Sequence, residues 1–113
     1  MAILNATIGT SPEAVLTSSG SNAITTIIVC NSVPFNPSSP TSGLTHLYLY
    51  AVPSGGSSTS PAANSIIVNG LPIPAGETVS FDQEKMVLAN GDMLVANSDS
   101  PANLVITVSI LAV

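Results

Sequence analysis

The chain has 113 residues, the length of one domain, and Lys85 is its only basic side chain against six acids, giving a formal net charge of −5 and a charged fraction of 6%. That balance excludes a nucleic-acid groove, which needs several Lys or Arg to displace counterions from phosphates, and it disfavours enzyme chemistry, which needs ionisable groups. A solitary Cys30 excludes a disulfide framework, and a 45% hydrophobic content with so little charge is the reverse of a disordered composition.

Strands are expected wherever β-branched residues recur with a period of two, and Val, Ile and Thr make up 31 of the 113 residues. Residues 3–8 form a first candidate and 13–17, after Pro12, a weaker second. The opening residues carry no basic start, and Asn5 and Thr7 interrupt their apolar run, so no secretory signal is expected. Without one, the Asn5-Ala6-Thr7 sequon reads as chance. No stretch reaches the roughly 18 apolar residues of a membrane span.

Residues 22–31 form a strong strand, with Ile24, Ile28 and Cys30 expected on one face and Ile27 and Val29 on the other. A strand apolar on both faces should be covered on both, by its own core and by a partner subunit or a long loop. Cys30 reads as a small buried hydrophobe. Pro34, Pro37 and Pro40 then remove three ladder donors, so residues 33–43 should be a surface loop. The strand over 44–52 sets Thr45, Leu47, Leu49 and Ala51 against His46, Tyr48 and Tyr50: an aliphatic face opposed to an aromatic, polar one. Residues 53–63 form a second, Gly/Ser-rich loop.

A short strand over 65–68 is expected to close at the tight-turn pair Asn69-Gly70. Pro72 and Pro74 flank Ile73 and suggest an edge segment. The strand over 77–81 should point Val79 and Phe81 inward, and the charged residues 82–85 should form an exposed turn. Residues 86–88, a turn at Asn90-Gly91, a strand over 93–96 and a turn over 97–103 precede the last strand, 104–113. Its even positions, from Leu104 to Ala112, are all apolar. Seven to nine short strands with no sustained 3.6 period predict an all-β fold, a single antiparallel β-sandwich of jelly-roll or immunoglobulin-like type. Residues 1–21 read as an N-terminal arm or edge strands, and 22–113 as the sandwich domain.

Chemistry-bearing motifs are nearly absent. No Gly-x-Ser-x-Gly elbow accompanies the abundant serines, and residues 53–57 lack the Gly-Lys-Ser/Thr ending of a phosphate loop. Asp82, Glu84, Asp92 and Asp99 have oxygens for a calcium ion but none of the EF-hand spacing, and read as solubilising turn residues. No catalytic residue, metal site or cofactor is expected. His46, Tyr48 and Tyr50 are the candidate interaction surface, since Tyr joins broad contact area to a polar tip. So few ions also lower the desolvation cost of burying the surface, because each buried unpaired ion costs several kcal/mol. Self-association follows as the expectation.

Residues 47–56 read Leu-Tyr-Leu-Tyr-Ala-Val-Pro-Ser-Gly-Gly, followed by Ala-Asn-Ser-Ile-Ile at 63–67, Ile-Pro-Ala-Gly-Glu-Thr at 73–78 and Val-Leu-Ala-Asn-Gly-Asp at 87–92. This order, over roughly residues 22–113, resembles small β-sandwich virion proteins of tailed bacteriophages. Asn90-Gly91-Asp92 departs mildly from the Ala-Gly-Asp of that pattern. The resemblance implies a structural role without activity or cofactor: a capsid decoration, or cement, protein. Such a protein is made in the host cytoplasm, assembles as a homo-oligomer (a trimer) and binds the major capsid protein on the outside of the shell. Neither nucleic acid nor membrane is an expected partner. A tail, neck or baseplate role is the alternative, and a carbohydrate- or receptor-binding module using His46, Tyr48 and Tyr50 is the next. A hydrolase using Asp82 with Asp92 is the weakest reading.

Overall fold

Alternation of apolar and polar side chains extends the chain into nine strands among residues 2–81 and 86–113, which the computed structural model describes. They are β1 (Ala2–Ile8), β2 (Glu13–Thr17), β3 (Asn22–Asn31), β4 (Thr45–Val52), β5 (Ile66–Ile73), β6 (Thr78–Phe81), β7 (Met86–Leu88), β8 (Met93–Ser98) and β9 (Leu104–Ala112). A single 3-10 turn, Ala63–Ser65, leads into β5.

Two antiparallel sheets result. The first runs β1-β9-β3-β6, with β7 also pairing β3, and the second runs β2-β8-β4-β5. Set β7 aside, and the first strand pairs with the last, β2 with β8, β3 with β6, and β4 with β5. The chain is one long antiparallel ribbon rolled on itself, which is a jelly roll. Strand order thus decides between the two sandwich types that periodicity leaves open. Residues 1–21 contribute β1 and β2, an outer strand in each sheet.

The core lies between the sheets. Leu47 and Leu49 of β4, Leu94 of β8, and Leu104, Ile106 and Val108 of β9 are each at most 1% exposed. They sit at alternate positions, as strand side chains must when one face meets the core. The expected alternation holds over most of β4 and β9: Thr45, Leu47 and Leu49 are buried while His46, Tyr48 and Tyr50 are half-exposed, but at the end of β4 Val52 is buried and Ala51 half-exposed, and at the end of β9 Ala112 is exposed.

Three expectations are corrected. In β3 a bulge between Ile24 and Thr26 inserts one residue, so Ile24 turns inward with Ile27 and Val29 instead of joining Ile28 and Cys30. One inserted residue flips the parity of everything on one side of it. Ile28 is 39% exposed and Cys30 half-buried on the outer surface. In β5 the Asn69-Gly70 pair closes no hairpin. Gly70, at φ +76°, is the extra residue of a second bulge, and the strand runs on to Ile73. β8 also extends two residues past its expected end. Pro72 does lie on an outer strand, where its missing N–H leaves no ladder gap. The turn expected over 82–85 lies outside the described residues.

One end of the sandwich is tied by polar side chains. Asn31, 1% exposed, donates through Nδ2 to the carbonyls of Gly43 (2.8 Å) and Ile73 (2.9 Å), and its Oδ1 accepts from the Val33 N–H at 3.0 Å. Buried Thr45 donates to the same Gly43 carbonyl and accepts from Asn103 Nδ2. These bonds anchor both ends of the proline-rich loop, which is itself exposed.

Candidate interaction surfaces

The outer face of β4 carries His46, Tyr48 and Tyr50 at two-residue spacing, as the sequence requires. His46 is tied to Asp99 in the turn after β8. The Asp99 carboxylate accepts from the His46 backbone N–H at 2.8 Å, and its other oxygen lies 2.7 Å from ring Nδ1. The backbone bond from His46 is the largest cause holding Asp99 below its ordinary value of 3.8; desolvation opposes it, and the ring's hydrogen bond and charge add smaller lowering effects. Tyr48 covers Gly70, where a Cβ would stand 3.5 Å from the phenol oxygen. On its other side, in register, is Asn97, whose Oδ1 is buried without a hydrogen-bond partner. Tyr50 is in register with Val95, fully buried although it faces outward.

The pairing of His46 and Asp99 gives a pH prediction. A carboxyl with a lowered folded value stabilises the fold at pH above its unfolded value and loses that contribution as pH falls through the folded one. The Tm of wild type should therefore exceed that of Asp99→Asn at neutral pH, and the gap should close below the ordinary value of 3.8. Both side chains are more than a third exposed, at 39% and 44%, so the gap is modest. Thermal denaturation across pH checks it, and a gap that persists in strong acid would contradict it.

The outer face of the β1-β9-β3-β6 sheet is different in kind, and sequence reading located it only as the second apolar side of β3. Registered pairs place Ile3, Ser109 and Thr26 in one row, Asn5, Thr107, Ile28 and Ser80 in the next, and Leu111, Ala23 and Val87 at one end. No described side chain on this face is charged. Ile3 is 67% exposed, Val87 68% and Leu111 43%. The described acids lie elsewhere: Glu13 begins β2, Asp92 and Asp99 flank β8, and Glu77 precedes β6. Four strand positions about 4.8 Å apart, the last shared by β6 and β7, and a common length of about seven residues give this face a footprint of about 19 by 24 Å.

The candidate calcium ligands do not converge. Asp92 and Asp99 bracket the whole of β8, about 23 Å apart along an extended strand. Asp92 is already engaged, accepting from the backbone N–H groups of Ser54 and Ala89 at 2.9 Å each. Asp82 and Glu84, and with them the Asp82–Asp92 pairing, lie outside the described residues. Among the described residues no group of three His, Cys, Asp or Glu could hold a metal ion. A cavity of about 420 Å³ opens between the sheets, lined by Ile27, Leu49, Ile67, Val68, Phe81 and Met86. Its lining residues are all apolar, and none offers a side chain to orient a reacting group.

Compared with protein-family models, with curated proteins and with solved structures, the chain has no match.

Proposed function

We propose that the protein is a non-enzymatic virion structural protein that self-associates and binds the outside of a phage major capsid shell as a cement protein. The observation that carries this reading is the outer face of the β1-β9-β3-β6 sheet, whose described side chains carry no charge, in a chain of net charge −5. Docking the described part of this face strands no ion, and each stranded ion would cost several kcal/mol. The jelly roll is a fold that viral capsid domains use, although the fold by itself assigns no role. A single footprint of this size is smaller than the roughly 800 Å² per partner of a standard stable interface. Several linked copies on a repeating shell would hold by avidity where one copy would not.

The test is a particle lacking this chain. It should assemble, yet lose its contents at lower temperature or lower salt than the complete particle, and added protein should restore the difference. Particles that survive heating and dilution unchanged would end the cement reading. Copy number separates the related tail or neck role: parity with the major shell protein marks decoration, and about a dozen copies or fewer mark a ring. The His46–Tyr48–Tyr50 ridge favours a sugar- or receptor-binding reading as the second choice. Binding of the isolated protein to a glycan array would support it.

A further inference from the structure

Each sheet ends in an edge with unpaired backbone groups, which invite another chain to add a strand unless something blocks it. Three of these edges carry blocking devices. β2 follows Pro12, begins with Glu13 and is bulged between Ala14 and Leu16. β5 contains Pro72 and two register shifts. The edge opposite β1 is divided between the short strands β6 and β7. β1 has none of these. It runs seven residues, Ala-Ile-Leu-Asn-Ala-Thr-Ile, with no charge and no Pro, and its register with β9 is unbroken from Ala2 to Ile8. Ala2, Ile3, Asn5 and Thr7 are exposed, Leu4 and Ala6, which point toward the core, are only partly buried, and Ile8 at the far end is buried.

We infer that β1 is an edge-pairing site whose occupant is the β1 strand of a second copy, antiparallel across a two-fold axis. Charge chooses the occupant. Two copies of a −5 chain repel wherever their carboxylates meet, and β1 against β1 brings no charged side chains together. A two-fold axis makes the contact self-complementary and closed. It also joins the two outer faces edge to edge, doubling the continuous surface whose described side chains are neutral. This arrangement is distinct from the trimer implied by the resemblance, and it does not depend on the shell-binding proposal, because the isolated protein shows it.

Sedimentation equilibrium should find the purified protein at twice 11.3 kDa at tens of micromolar. Asn5 is central in β1, exposed, and accepts from the Thr107 hydroxyl at 2.8 Å, a role that Asp can keep. Asn5→Asp and Asn5→Lys each place like charges across the axis, and each should be monomeric with a cooperative thermal transition. Mixed in equal amounts they should dimerise again. A wild type that is monomeric or trimeric, variants that remain dimeric, or a mixture that stays monomeric would each overturn the proposal. If either variant does not fold, hydrogen exchange of wild-type β1 amides decides: they should gain protection with rising concentration, and exchange independent of concentration would overturn it. A trimer would leave the cement reading standing while removing this one.

Discussion

Asn31→Leu is expected to destabilise the protein by about 3 kcal/mol, because it removes one side chain from three backbone groups at once. The volumes are similar, so the loss is one of bonding rather than packing. The Ile73 carbonyl and the Val33 N–H lose their Asn31 partner, while the Gly43 carbonyl keeps Thr45. Each polar group buried without a partner costs about 1–3 kcal/mol. At about 4–6 °C per kcal/mol for a domain of this size, Tm should fall by about 12–18 °C. Asn31→Asp should be worse, since it sets a carboxylate against the carbonyls of Gly43 and Ile73. Thermal denaturation followed by circular dichroism measures both, and a drop of less than about 1 kcal/mol for Asn31→Leu would mean that the loop anchors hold without it.

Ile106→Ala should cost about as much or more, for a different reason. Ile106 has no exposure and sits on β9 between Ala6 of β1 and Val29 of β3. Truncation there loses the transfer energy of the removed carbons and leaves a cavity that flanking strands cannot close, together about 2–5 kcal/mol. Ile110→Ala, on the same face of the same strand but half-buried, should cost about half as much. Urea denaturation with an unchanged slope separates the two. Equal losses would show that the outer end of β9 is as tightly packed as its middle. Either large change consumes a substantial part of the roughly 5–15 kcal/mol that ordinary domains possess.

Strands were legible because burial on one face writes itself into the sequence with a period of two. β3, β4 and β9 are the clear cases. Bulges were not legible. Thr25 in β3 has the same β-branched character as its neighbours, so nothing in its chemistry marks the extra residue that reverses the strand's inward and outward sets. Asn69-Gly70 is conspicuous in the sequence, but Asn-Gly serves a tight turn and a bulge equally, because both need a positive φ. Strand order left no trace, since the pairing of Ala2 with Ile110 depends on the whole ribbon between them. Of the candidate surface, the spacing of His46, Tyr48 and Tyr50 could be read directly. The Asp99 partner of His46, 53 positions away, could not. The uncharged sheet face needed the register of all four strands before its rows could be assembled.

Pairing the first strand with the last has a consequence during synthesis. β1 is translated before the other eight strands, and its ladder partner only after about a hundred more residues. At about 5–20 residues per second, that interval is about 5–20 s. Throughout it both rims of an uncharged, β-prone segment are bare, so a nascent chain runs its greatest risk of tangling with neighbours on the same message before release. Only the arrival of β9 closes one rim, and the other is left for the folded molecule to use.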